Sequence, residues 1–240
     1  MVIRDLLQGA RSLVFPAACA ACDLPWADRE VPLCSSCLLQ VPLLPTAACR
    51  CCALPLEGPG AGVELCLGCR TRPPPFDQAI SPFLYAGGAK TLVTRLKYGG
   101  EISLASFLGK RMACAARERL AGSLPEFVLP VPLHPVRLRE RTFNQAGLLA
   151  RVVARELRLP LRENLLTRQR FTPSQTELPR RERLRNLQGA FSFETDSLLA
   201  GATVLLVDDV LTTGATASAC AQRLKRAGIR RVAVVTACRG

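Results

Sequence analysis

The chain has 240 residues, 49% hydrophobic and 21% charged, with a mean hydropathy of +0.19. That is a folded chain with room for one large domain, or an ordinary domain and a small one, and it excludes a disordered polymer. Its 32 Lys+Arg against 19 Asp+Glu leave a net +13, and 28 of those cations are arginines, whose planar fork suits phosphate oxygens, so a phosphate-bearing partner is expected.

The first part of the chain is marked by cysteine. Nine of the 12 cysteines fall between Cys19 and Cys69, and eight of these form four C-x-x-C pairs: Cys19/Cys22, Cys34/Cys37, Cys49/Cys52 and Cys66/Cys69. The start of the chain reads poorly as a secretory signal, with Asp5 within Met1–Gly9 and Arg11 too late, followed by only a short apolar run. A reducing cytoplasm is therefore expected, and there repeated C-x-x-C pairs read as zinc ligands. Two thiolates two residues apart chelate one tetrahedral ion from a tight turn, and a second pair closes the site. Eleven residues separate Cys22 from Cys34 and 13 separate Cys52 from Cys66, so the simplest scheme is sequential. One Zn²⁺ then sits on Cys19, Cys22, Cys34 and Cys37, and another on Cys49, Cys52, Cys66 and Cys69. An interleaved cross-brace stays open, and Cys51 is either a spare thiol or a substitute for Cys52. With only Arg29 and Arg50 as cations between the cysteines, packing or protein contact is favoured over direct DNA binding. Metal removal is expected to melt residues 19–69 selectively.

Thr71-Arg72-Pro73-Pro74-Pro75 reads as a stiff linker. It divides the chain into residues 1–72, an N-terminal helix with a double zinc ribbon, and residues 73–240. The second part has α/β grammar. Phe76–Tyr85 predicts a strand, Ala89–Tyr98 and Leu104–Leu120 predict helices, and Phe127–Val131 predicts a short strand. Asn144–Leu159 is an amphipathic helix with Leu148, Leu149, Val152, Val153 and Leu157 on one face. Thr203–Val207 and Val232–Thr236 are buried strands flanking a helix over Thr213–Ala227, which implies a parallel sheet. No run approaches the roughly 20 apolar residues of a membrane span; the longest uncharged stretch, Val31–Cys49, is broken by Pro32, Pro42 and Pro45.

The decisive segment is Val207-Asp208-Asp209-Val210-Leu211-Thr212-Thr213-Gly214-Ala215-Thr216. It sets two acids at the carboxyl end of a strand, then a small hydroxyl-rich turn, then a helix, which is where open α/β sheets bind ligands. The N–H groups of Thr212, Thr213, Gly214, Ala215 and Thr216, with the positive end of the helix dipole, make a monophosphate cradle. Asp208 and Asp209 are placed to accept hydrogen bonds from vicinal hydroxyls. A phosphate at one end and a diol beside it describe a ribose 5-phosphate. There is no Walker-type G-x-x-x-x-G-K-[ST] loop and no G-x-G-x-x-G after a strand.

This segment resembles the phosphoribosyl pyrophosphate loop of type I phosphoribosyltransferases. The whole chain resembles the ComF/GntX family, competence-type phosphoribosyltransferase-like proteins with an N-terminal zinc ribbon. Three more stretches carry the likeness: Leu96-Lys97-Tyr98-Gly99-Gly100, the run Val131–Gln145 (VPLHPVRLRERTFNQ), and Thr172-Pro173-Ser174-Gln175 through Arg185-Asn186. Thr142 stands where the family usually has glycine. The resemblance implies a type I phosphoribosyltransferase-like parallel sheet with helices on both faces. It implies 5-phosphoribosyl 1-pyrophosphate (PRPP) with Mg²⁺ as ligand, Asp208 and Asp209 on the 2′ and 3′ hydroxyls, and residues 212–216 on the 5′-phosphate. Displacement of pyrophosphate at C1′ needs charge neutralised on the leaving group more than it needs a base. Lys97, Arg137, Arg139 and Arg141 are the candidate cations. His134, the only histidine, is a candidate base, pyrophosphate contact or pocket wall. Residues 170–186 read as a basic loop able to close over substrate, and Tyr98, Phe143 and Phe171 as base-stacking or core aromatics. Residues 131–190 hold 13 arginines against five glutamates. Two functions fit: a phosphoribosyltransferase acting on an unidentified acceptor, or a DNA-transformation factor that binds PRPP or nucleic acid, single-stranded DNA included, while the zinc module docks on a DNA-uptake protein.

Overall fold

The computed structural model describes residues 18–28, 30–56, 64–170, 187, 189–194 and 200–240. The predicted N-terminal helix and the basic stretch Thr172–Asn186 lie outside the described residues. In chain order come two short helices, α1 (Ser35–Leu39) and α2 (Leu67–Thr71), and two short strands, β1 (Gln78–Ile80) and β2 (Phe83–Leu84). Then follow α3 (Gly87–Tyr98), α4 (Leu104–Arg119), β3 (Phe127–Pro130), α5 (Pro135–Arg141) and α6 (Gln145–Leu157). The last elements are β4 (Leu166–Arg168), β5 (Phe191–Phe193), β6 (Thr203–Leu211), α7 (Ala215–Arg226) and β7 (Arg231–Arg239).

The main sheet is entirely parallel, in the order β1–β7–β6–β3, with β2 also pairing with β7 beyond β1. The single strand expected over Phe76–Tyr85 is thus two strands split at Ser81-Pro82, because proline cannot donate to a ladder. β6 and β7 bury both faces, as parallel strands must. Leu205, Val207, Ala233, Val235 and Ala237 join the core beneath α3, α4 and α6. Val204, Leu206, Val232 and Val234 join the opposite core beneath α7. β4 and β5 form a separate antiparallel ribbon.

The Cys-rich segment is built twice. Cys19 N–H donates to the Leu24 carbonyl at 2.8 Å and Cys49 N–H to the Leu54 carbonyl at 2.7 Å. Asp23 and Ala53, each just past the second cysteine of a pair, both adopt positive φ (60° and 56°). α1 starts directly after Cys34 and α2 directly after Cys66. The two knuckles sit on opposite faces of the sheet. Cys19, Ala20, Leu33 and Val41 enter the core of α3 and α4, while Ala53 enters the core of α7 with Phe76 and Ala79. Between them the chain runs along the sheet edge. Leu43 pairs with Phe83 in an antiparallel bridge, and Pro42 and Pro82 carbonyls accept from Leu84 and Leu44 N–H at 2.9 Å each. An otherwise open edge is thereby covered.

Candidate functional site

The site forms where β3 and β6 end. β6 continues as a strand through both acids to Leu211, four residues beyond the predicted end. Neighbouring residues on a strand face opposite ways, so the two carboxylates part company. Asp209, 4% exposed, turns to the α3–α6 side. There Lys97 Nζ, near the end of α3, lies 2.8 Å from its Oδ1, and Gln145 Nε2, at the start of α6, donates to its Oδ2 at 2.8 Å. Burial alone would lower the Lys97 pKa, but Asp209 and then Asp208 outweigh it and raise the value, so the lysine stays charged. Asp208 is half-buried on the α7 side and accepts from the N–H of Asp209 at 2.9 Å. Burial, reinforced by the Asp209 charge, pushes its carboxyl up to about 7. Such a group is relieved by whatever donates to it or brings positive charge.

Past Leu211 the chain turns through Thr212 and Thr213 to Gly214, whose φ of +73° is the left-handed conformation glycine tolerates best. α7 begins at Ala215, two residues later than predicted, and the Thr213 hydroxyl accepts from Ala215 N–H at 3.4 Å. Thr212 is exposed, and Thr213, Gly214 and Thr216 are half-buried. The predicted cradle residues therefore sit together on one turn.

α5, the basic turn, follows directly from the end of β3. His134 is its N-cap, with Nδ1 accepting from Val136 N–H at 3.3 Å, so the histidine has a structural task. Arg137 pairs with Glu140 at 2.8 Å, Arg139 is exposed, and Arg141 donates to the Tyr98 hydroxyl at 3.1 Å with its guanidinium 4.9 Å from the ring centroid. Tyr98 is 71% exposed, which removes it from the core. Phe143 is half-buried against the α3–α4 core, and Phe171 lies outside the described residues. Thr142, the residue in the family's glycine position, has φ +64°, the backbone state that explains why glycine belongs there.

Two four-cysteine groups gather sequentially, Cys19/Cys22/Cys34/Cys37 and Cys49/Cys52/Cys66/Cys69, with all ligand atoms of each within 4.8 Å of one another. Tetrahedral zinc–thiolate bonds of about 2.3 Å set sulfur atoms about 3.8 Å apart. The Sγ atoms of Cys22 and Cys34 are 3.8 Å apart and those of Cys52 and Cys66 are 3.6 Å apart. Cys34 N–H points at Cys19 Sγ and Cys66 N–H at Cys49 Sγ, each at 3.3 Å. Burial opposes ionisation of Cys19 and Cys49, but backbone amides, led by that of Cys34 for Cys19 and that of Cys52 for Cys49, draw their thiols down to about 6 and about 7. Both groups can hold a structural metal ion, and Cys51 belongs to neither.

Sequence reasoning missed three residues here. Gln145 appeared only within a motif, yet it anchors Asp209. Arg168, on β4, is partly buried with its guanidinium 5.6 Å from the Phe191 ring. Burial lowers its pKa and Arg137 adds to that, while Asp208 opposes it, so a further cation lies within electrostatic reach of the acid. Arg239, in β7, is buried and donates to the carbonyls of Cys52, Leu211 and Thr212. A lone arginine among 28 carries no local pattern to announce it.

Residues 145–240 match the family model described as the phosphoribosyl transferase domain. DNA utilization protein YhgH of Salmonella typhimurium is 33% identical over 230 residues, 95% of this chain and 99% of that one. Competence protein F of Haemophilus influenzae is 30% identical over 206 residues, 84% of this chain and 88% of that one. The chain belongs to the ComF/GntX family. A purine phosphoribosyltransferase from Pyrococcus horikoshii Ot3 aligns with a TM-score of 0.34 and 18% identity over 53% of this chain and 70% of that one. For this ComF/GntX member the fold is that of a type I phosphoribosyltransferase, preceded by two four-cysteine groups consistent with zinc ribbons. Among the described residues no helix is long and apolar enough to cross a membrane.

Proposed function

We propose that the chain binds PRPP with Mg²⁺ and displaces pyrophosphate from C1′ in favour of an acceptor nucleophile, in the service of DNA uptake. The observation that carries this is the junction of β6 with α7: an acid pair, one buried and one half-buried, a left-handed glycine turn and a helix start within nine residues. The turn 212–216 takes the 5′-phosphate through its N–H groups. Asp208, the carboxylate in need of donors, takes the ribose hydroxyls directly. Asp209 acts behind it, holding Lys97 beside the reacting end. Lys97, Arg137, Arg139, Arg141 and Arg168 supply a positive wall toward the departing pyrophosphate. Magnesium, arriving with the donor, adds charge neutralisation on that leaving group. Nothing in this chemistry demands a strong base, which suits a His134 committed to capping. The four-cysteine groups hold structural Zn²⁺. Residues 1–72 form the zinc-binding module and 73–240 the phosphoribosyltransferase-like domain, in a cytoplasmic protein. The link to DNA follows from the names of the relatives, "DNA utilization protein" and "Competence protein F".

A second reading is favoured by the excess of arginine over residues 131–190. There the chain is a non-catalytic adaptor that holds PRPP or single-stranded DNA. Calorimetry with PRPP and Mg²⁺, followed by pyrophosphate release measured with candidate bases and with single-stranded DNA, separates the two. Acceptor-dependent release identifies the transferase. Salt-sensitive DNA retention without release identifies the adaptor. Absence of PRPP binding to the intact chain rejects the site itself.

A further inference from the structure

Arg239 joins two parts of the molecule that sequence places far apart. Its Nε donates to the Cys52 carbonyl at 2.8 Å, across 187 residues. One of its terminal nitrogens donates to the Leu211 carbonyl at 2.9 Å and the Thr212 carbonyl at 2.8 Å, and also meets the Gly240 carbonyl. Gly240 N–H donates to Leu211 at 2.9 Å as well. Between these groups lies a cavity of ≈ 220 Å³, lined by Cys52, Cys66 and Cys69 on one side and Thr212, Thr213 and Gly214 on the other. The second four-cysteine group is thus the back wall of the turn assigned to the sugar phosphate.

The direction of these bonds matters. Every peptide bond described is trans, so an N–H points away from the carbonyl of its own peptide unit. Fixing the Leu211 and Thr212 carbonyls on the Arg239 side turns the N–H groups of Thr212 and Thr213 to the opposite side, where an anion would lie. A turn whose carbonyls were free to rotate would present oxygens to a phosphate part of the time. Arg239 removes that freedom, and it is itself steadied by Cys52, a member of the second four-cysteine group.

We infer that Arg239 is a positioning residue through which the second metal centre sets the sugar-phosphate turn, so that loss of metal from Cys49, Cys52, Cys66 and Cys69 disables phosphate recognition. Among the described residues, no such strut joins the first centre, on the other face of the sheet, to the turn. This inference rests on the PRPP reading above and goes beyond it. The probe is PRPP with Mg²⁺, titrated calorimetrically into the full-length, metal-loaded chain, with magnesium pyrophosphate alone as the second ligand. Arg239→Ala should weaken PRPP binding about tenfold or more, as expected when buried charged hydrogen bonds are lost. Magnesium pyrophosphate, which does not touch the turn, should bind as before, and two metal ions should remain per chain. Arg239→Lys should resemble Arg239→Ala, since one ammonium cannot span the three carbonyls. Cys66→Ser should cost one metal ion and a similar share of PRPP affinity. Combined with Arg239→Ala it should cost no more than either change alone, because both cut the same strut. Unchanged PRPP affinity in both Arg239 variants, equal loss for both ligands, or additive losses in the double variant overturns the inference. A parent chain that binds pyrophosphate but not PRPP overturns the assignment of the turn instead.

Discussion

Asp208 is held in a state that a folded protein without ligand would do better to avoid. Its carboxyl is raised from 3.8 to about 7 by burial and by Asp209. Between about pH 4 and pH 7 the native chain keeps a proton that the unfolded chain gives up, so this group subtracts stability as pH rises, and the deficit is complete above 7. Asp208→Asn should therefore be the more stable protein at pH 8, by about 1 kcal/mol or more, while PRPP binding disappears. Thermal melts at pH 5 and pH 8 check this: the parent should lose more stability than the variant between the two. Thr142 is a second strained position. A β-branched residue at φ +64° costs about 1–2 kcal/mol, offset in part by its hydroxyl bond of 2.6 Å to the Arg141 carbonyl. Thr142→Gly should raise Tm by about 2–4 °C, as about 1 kcal/mol does in a chain of this size. A fall in Tm would show the hydroxyl bond outweighing the backbone strain. The candidate site was legible at this scale only where chemistry is local. Asp208, Asp209 and the turn 212–216 lie in one string. Lys97 is legible as a candidate cation beside its Gly-Gly turn, whereas Gln145, Arg168 and Arg239 reach that string from three other elements, and no periodicity connects them.

Elements were legible where apolar residues dominate. TVLLV and VAVVT gave the two central strands, and α6 followed from its apolar face. Their ends were harder. β6 runs on through Asp208 and Asp209 because Lys97 and Gln145 meet the buried charge of Asp209, a compensation invisible to a local reading that ends strands at charges. α4 and α6 approach each other closely at Gly109. A methyl group there would come within 2.6 Å of Val152 Cβ and 3.4 Å of the Leu149 carbonyl. Gly109→Ala should push the helices apart and cost about 1–3 kcal/mol, the usual penalty for overpacking. Val152→Gly in the same chain, which removes the Cβ that an alanine would keep, should recover part of that loss. Denaturant melts of the two single variants and the double variant test the coupling, and additive losses would refute the direct clash.

At the scale of the whole molecule the cysteine pairs were the clearest signal; they left sequential and interleaved pairing open, and the structure gathers them sequentially. Their relation to the sheet was not legible, because Leu33, Val41 and Ala53 look like any apolar residues in a proline-rich segment. Their burial with Leu92, Leu108 and Phe76 changes an expectation. Chelation was expected to melt residues 19–69 alone. With the knuckles sharing both cores, removal of metal should instead lower the Tm of the entire fold in one transition. Calorimetry with and without chelator, alongside metal stoichiometry, reads this directly. Two separated transitions would restore the picture of an independent module.

The strip Pro42–Leu44 has a wider consequence. Shorn of its first 72 residues, the remainder would carry a bare seam of β2 backbone, an invitation to stack on its own kind. Truncation should yield aggregates, read by size-exclusion chromatography, rather than a minimal phosphoribosyltransferase-like domain, and attempts to transplant this scaffold will have to carry the cysteine clasp along with it.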